Sequence, residues 1–252
     1  MKNLKTLSAV AAISLIGFGC SSSSGDGAST STLSGIYTGV VIGGRSSANG
    51  DEKAIIYNDR LMMFATVFNI QSVMDSQLTV TDSNFTGTLS IYSNFASINF
   101  TGTADLSGNI DSNNIVSATF INTNATTNDG SFTLTPNTTV YSKGSNLSRV
   151  TGSWQGTHGG LSDATTIAVD ATGTITSGSD LEGCNFTGSI IPADTSVNVY
   201  NATLISTGGT GCTSLPPATY TGFAWTEGTT DTTMNFTVAD GINSRSVILT
   251  KL

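Results

Sequence analysis

Charge is what this chain has least of: Asp, Glu, Lys and Arg together make up 10% of its 252 residues, against about 25% in an average soluble domain. Only nine residues are Lys or Arg, and they are scattered. A phosphate backbone needs clustered cations, so nucleic acid is excluded as a partner. There is one histidine, His158, which makes a histidine-built zinc site untenable and leaves a catalytic triad a single candidate base. His158 shares a Gly-flanked loop with Ser162 and Asp163. Closeness in sequence among common loop residues is not the convergence a triad needs, and no G-x-S-x-G is present, so His158 reads as a solvated loop residue. Long apolar runs are missing too. The one apolar segment, Leu7 to Gly19, is shorter than the about 20 residues that span a bilayer.

The remaining chemistry-bearing types give no better site. Asp51 with Glu52, Asp180 with Glu182, and Glu227 with Asp231 are acidic pairs that could serve glycoside hydrolysis or calcium. None has calcium-loop spacing, and they read as ordinary surface charge. Met62, Met63 and Met74 fall in apolar runs and read as core filler rather than copper ligands. Eight N-x-[ST] triplets, among them those at Asn84, Asn99, Asn185 and Asn235, follow from a chain rich in Asn and Thr. The expectation is a protein with no catalytic residues, no metal and no cofactor, and therefore not an enzyme; a hydrolase ranks last among the readings.

What is present begins at Cys20. It follows the apolar segment directly, with Lys2 and Lys5 in front and four serines behind. The charged start holds the segment at the cytoplasmic face, and its length suits a cleaved signal rather than a permanent helix. Gly19 is the small residue expected before a modified cysteine; Gly17 stands where a Leu-like residue is usual, and Phe18 is bulky. Residues 1 to about 32 thus resemble bacterial lipoproteins. That resemblance implies cleavage after residue 19, acyl chains (palmitate among them) on Cys20, and, because Ser21 rather than Asp follows, retention at the outer membrane. Two or more chains at roughly 0.8 kcal/mol per buried methylene give a stable membrane anchor. Residues 20–32 are small and polar apart from Asp26, the composition of a flexible tether.

The mature chain would keep seven basic and 17 acidic residues, a net charge of −10. Such a surface also disfavours docking on anionic lipid. Beyond residue 32, Thr, Val, Ile, Phe and Tyr alternate with small polar residues in runs of four to eight, interrupted by Gly, Asn and Asp. That pattern predicts an antiparallel all-β chain. The one helical competitor, Arg60 to Gln77, is read instead as the second strand of a hairpin: Ala54 to Tyr57, a turn at Asn58 and Asp59, then Leu61 to Phe68.

The chain also repeats itself. Leu33-Ser-Gly-Ile-Tyr-Thr-Gly39 resembles Val150-Thr-Gly-Ser-Trp-Gln-Gly156; Asn84-Phe-Thr-Gly-Thr-Leu89 resembles Asn185-Phe-Thr-Gly-Ser-Ile190; Phe100-Thr-Gly-Thr-Ala104 resembles Tyr220-Thr-Gly-Phe-Ala224. Two related domains, 33–147 and 148–252, are expected, with the boundary in the polar stretch Lys143 to Ser148. Eight strands can be counted in the second and seven or eight in the first. Eight strands on short turns suit an up-and-down barrel, with a pair of β-sandwiches as the alternative. Trp154 and Trp225 read as barrel packing. Cys184 and Cys212 read as a structural disulfide, because an oxidising compartment pairs an even count and the neighbouring Asp180 and Glu182 disfavour a reactive thiolate.

The paired G-x-[YW]-x-G starts and the strand counts resemble the small β-barrel lobes of transferrin-binding-protein-like surface lipoproteins. The likeness is architectural and carries no binding residue across. It implies a non-enzymatic outer-membrane lipoprotein whose loops bind a protein, a glycan or a small ligand, the ligand-binding residues being unknown. The alternative is a structural or envelope-assembly lipoprotein facing the periplasm.

Overall fold

The computed structural model describes residues 32–43, 46–47, 52–67, 70–95, 98–123, 129–157, 164–212 and 215–252. The first half is an antiparallel meander of β1 (Gly35–Gly43), β2 (Ser46–Ser47), β3 (Glu52–Tyr57), β4 (Arg60–Val67), β5 (Ile70–Thr81), β6 (Asn84–Phe95), β7 (Ile98–Ile110), β8 (Val116–Asn122) and β9 (Gly130–Pro136). Pairing of β1 with β9 closes it, while the short β2 pairs with the end of β1. Two single-turn helices, α1 (Thr138–Tyr141) and α2 (Leu147–Val150), lead into the second half. There β10 (Gly152–Thr157), β11 (Ala164–Val169), β12 (Thr174–Ser179), β13 (Asn185–Asp194), β14 (Val199–Gly208), β15 (Ala218–Glu227), β16 (Thr233–Ala239) and β17 (Ser244–Lys251) form a second closed barrel. The protein is all-β, with two closed antiparallel eight-stranded barrels. Closure removes the strand edges that a sandwich would leave.

The hairpin reading holds against the helical one over residues 54–67, Phe68 lying outside the described residues. Asn58 and Asp59 both adopt positive φ, 49° and 63°, as the two central residues of a type I′ turn require. Both faces of β4 are buried, Leu61 and Met63 in the first barrel and Met62 and Phe64 on its outside, which the single apolar stripe of a helix would not achieve.

Away from the wall where the barrels meet, alternation sorts the strands into an apolar inner face and a largely polar outer one, as in β8, where Val116, Ala118 and Phe120 point inward. Tyr37, Leu61, Phe85, Leu106, Phe120 and Phe132 are among the side chains filling the first interior. Trp154, Ile175, Phe186, Tyr220, Phe236 and Val247 are among those filling the second. Outside stand exposed Thr86, Thr88, Asp105, Ser107, Thr119 and Thr133. This is the reverse of a membrane-spanning barrel, whose outer surface is apolar.

The repeated G-x-[YW]-x-G motif has one physical role in both halves. It opens the first strand of each barrel, puts Tyr37 or Trp154 into the core, and places Gly39 or Gly156 at the seam where the last strand closes the sheet. A Cβ on either glycine would run into a backbone carbonyl of the closing strand, that of Thr133 or Ile248. The Asn-Phe-Thr-Gly motifs behave differently. Phe85 lies over Gly108 of the following strand, whereas Phe186 lies over Gly178 of the preceding one. Asn84 begins the fifth strand of its barrel and Asn185 the fourth. These two motifs therefore share an aromatic-over-glycine packing solution without sitting on equivalent strands, so they do not carry the repeat. The third pair falls on β7 and β15, the sixth strand of each.

The barrels press their outer walls together. Ile36, Ile55, Met62, Phe64, Val73 and Tyr92 of the first form one buried cluster with Val199, Phe223, Trp225 and Ala239 of the second. Trp225 was expected inside a barrel; its position on β15 turns it outward instead, against Phe64 at 5.9 Å between ring centroids. Around this cluster Lys53 bonds Glu227 at 2.9 Å, and Arg60 both pairs with Asp75 and reaches the Thr221 carbonyl at 3.2 Å. The segment 137–151 is bonded to the second barrel: Ser145 donates to the Asp194 carbonyl, and the Tyr200 hydroxyl exchanges hydrogen bonds with both backbone groups of Asn146.

Candidate binding rim

An up-and-down barrel gathers its connections at two ends. One end of the second barrel carries, among the described residues, 180–184, 209–212, 215–217 and 240–243. The Cys184–Cys212 disulfide ties 180–184 to 209–212, with Cα atoms 4.7 Å apart. The turn before Cys184 belongs to a type that occurs three times among the described residues, at Asp111, Asp170 and Asp180. In each, the Asp amide donates to the carbonyl four residues on, the amide three residues on donates back, and that third residue has positive φ (Asn114 60°, Gly173 83°, Gly183 78°). The Asp carboxylate accepts the amide of the fourth residue at 2.8, 3.0 and 2.9 Å respectively. The signature D-x-x-[NG] between apolar runs marks these turns, and it was a readable signal that the strand count alone passed over. Amide and hydroxyl donors in the turns hold the carboxyls of Asp111, Asp170 and Asp194 below the usual carboxylate range: the Ile115 amide first at Asp111, the Thr172 hydroxyl first at Asp170, the Ser196 amide first at Asp194.

Asp180 does more than hold its turn. Its Oδ1 accepts from Cys184, while Oδ2 accepts from the Arg245 guanidinium at 2.9 Å across the barrel mouth, and the same Arg245 nitrogen reaches Thr165 Oγ1 at 3.0 Å. Both charged side chains are buried, Arg245 3% exposed and Asp180 0%. Arg245 stands on the inward-facing register of β17, two residues before Val247, and so closes the interior with a polar bridge. Leu215 drops into the same mouth from the loop after β14, its carbonyl accepting from Ser206 Oγ at 2.7 Å. Burial pushes the Tyr220 hydroxyl up to about 12, and it donates to the Pro216 carbonyl at 2.9 Å. The rim is thus a fixed frame, with Leu181 and Ile242 at two turn tips exposed by 64% and 69%.

The other residues singled out by sequence are dispersed. Cys20, and His158 with Ser162 and Asp163, lie outside the described residues, as does Asp51. Cys184 and Cys212 come together as the disulfide. The acidic pairs do not converge: Asp180 serves the mouth, Glu227 bonds Lys53 and the Trp225 indole N–H, and Asp231 pairs with Lys143 and Arg149 of the linker. Met63 and Met74 fill the first core, and Met62 joins the cluster between barrels. A shallow groove outside β10, β11 and β12 is lined by Ser153, Thr166, Ser177 and Ser179, and carries no charged side chain.

Comparison with protein-family models, curated proteins and solved structures finds no match to this chain.

Proposed function

We propose that this protein is a non-enzymatic lipoprotein of the bacterial outer membrane, anchored through acylated Cys20, which binds a protein, a glycan or a small ligand through loops at the ends of its barrels. The observation that carries the reading is the junction at residue 33. A signal-like segment, Cys20 and a 12-residue polar stretch lead to Leu33, and there the first barrel begins, Leu33 donating to Asp59 Oδ1 at 2.6 Å. Twelve flexible residues span about 20 Å on average and roughly 40 Å when extended, enough to hold folded barrels clear of a lipid surface.

The filled interiors favour contact at the ends over capture inside a barrel. Loops on rigid walls are where recognition concentrates. A net charge of −10 after cleavage weighs against docking on anionic lipid or nucleic acid.

Cys20→Ser, followed by membrane fractionation and palmitate-analogue labelling, tests the anchor. The substitution should abolish labelling and move the protein to the soluble fraction. An unlabelled, soluble wild-type protein would overturn the lipoprotein reading.

A further inference from the structure

The covered outer wall of the second barrel changes character from one strand to the next. On β14 and β15 it is apolar, with Val199, Phe223 and Trp225 packed against the first barrel. Strand β15 is also pinned at both ends, Glu227 by Lys53 at 2.9 Å and the Thr221 carbonyl by Arg60 at 3.2 Å. Between those ends Tyr57 meets Phe223 and Phe64 meets Trp225, each pair with ring centroids 5.9 Å apart. On β16 and β17 the wall turns polar. Asn235 stands beside Trp225, Thr237 beside Phe223, and Ser246 beside Thr237. Met234, Phe236 and Val247 point into the barrel, so these three point out of it; yet all three are 0% exposed, and β5 of the first barrel lies against β17.

Among the described residues, neither the amide oxygen nor the amide nitrogen of Asn235, nor the hydroxyl of Thr237, finds a hydrogen-bond partner, although all three atoms are buried. Such groups have given up their water for nothing, which native structures rarely tolerate. Apolar side chains at these positions would serve a permanently closed junction better. A polar strip suits a wall that meets water part of the time.

We propose that the junction between the barrels is a joint, turning about β15 and opening on its β16–β17 side, so that Asn235, Thr237 and Ser246 are wetted while the contacts of β15 persist. The inference is independent of both the lipid anchor and the loop-binding reading. Opening changes the angle between two rigid barrels and uncovers amide and hydroxyl groups that carry no charge. Any ligand bonding to them shifts the population toward the open form.

The experiment is thiol labelling of the folded full mature chain in mild detergent with iodoacetamide, read by mass on the peptide that carries the added thiol. Ser246→Cys places a thiol on the strip and leaves both unpaired residues in place. Ala224→Cys places one in the barrel interior, 0% exposed and reached only by unfolding. The strip thiol should react about 100-fold faster than the interior one, at a rate nearly constant through low guanidinium concentrations, because opening exposes far less surface than unfolding. Adding Asn235→Leu/Thr237→Val should slow the strip thiol roughly tenfold, since the closed form then leaves no polar group unpaired. Equal rates for the two thiols, or equal steepness in denaturant, would mean a junction that opens only on unfolding and would overturn the proposal. An unchanged or faster rate in the apolar variant would overturn it as well, the faster rate marking water trapped in a closed junction. Circular dichroism checks the fold of each protein; should Ser246→Cys lose structure, Thr237→Cys replaces it, with Asn235→Leu as the slowing variant.

Discussion

Replacing Arg245 with Met keeps most of the aliphatic stem while removing the guanidinium from the mouth of the second barrel. The Asp180 side chain, 0% exposed, would then be left as a buried carboxylate without its cation. Removing one partner of such a pair costs about 3–5 kcal/mol, because the remaining charge has already lost its water. For a unit of the second barrel's size, about 100 residues, about 4–8 °C per kcal/mol turns that into a fall of roughly 15–20 °C in its melting temperature. Asp180→Asn in the Arg245→Met background should restore stability by about 2 kcal/mol or more, since the amide oxygen can still accept the Cys184 amide while the charge is gone. Guanidinium unfolding and calorimetry of the four proteins in this cycle, disulfide intact, give the coupling energy directly. A loss below about 1 kcal/mol for Arg245→Met, or strictly additive substitutions, would refute the view that the pair holds the mouth shut.

Gly156→Ala should destabilise the second barrel by about 1–3 kcal/mol, because its Cβ meets the Ile248 carbonyl at the closing seam; an unchanged denaturation midpoint would contradict that packing. Burial raises the hydroxyls of Tyr37 and Tyr220 from 10.0 to about 12. The unfolded chain then releases these protons near pH 10 while the folded one keeps them, so stability present below pH 10 should fall as pH rises from 10 to 12. Tyr37→Phe should flatten that decline, and an identical slope would be the refuting result. The two halves should fold as separate barrels when expressed apart, as 33–147 and 148–252, each showing its own cooperative transition. A fragment starting at residue 137 should be the more stable form of the second barrel, since it retains the Tyr200–Asn146 bonds; the absence of any transition in either fragment would mean one inseparable core.

The architecture was legible because it depends on a period of two. The second half shows this best, where the alternating stretches Ala218 to Glu227 and Gly152 to Thr157 form β15 and β10. The disulfide was legible because only two cysteines follow Cys20. What the alternation could not tell was which polar or aromatic outward face would meet another barrel. Trp225 and Phe223 look like core residues of their own strand, and only the packing of the two walls shows that they serve the interface. Arg245 escaped for the same reason. It stands in a strand pattern at an inward register, and a lone Arg there gives no sign of a carboxylate 65 residues away. The Asn-Phe-Thr-Gly likeness misled because a phenylalanine over a cross-strand glycine can be built with either neighbour.

The central claim, that two filled barrels are displayed outside the cell on a lipidated tether, is tested most directly by treating intact cells with a protease. The barrels should be shed into the medium as a soluble fragment whose N-terminus falls within residues 21–32, while the acylated stub stays in the membrane. Retention of the full-length protein until the outer membrane is breached would contradict the account and turn the barrels to the periplasm.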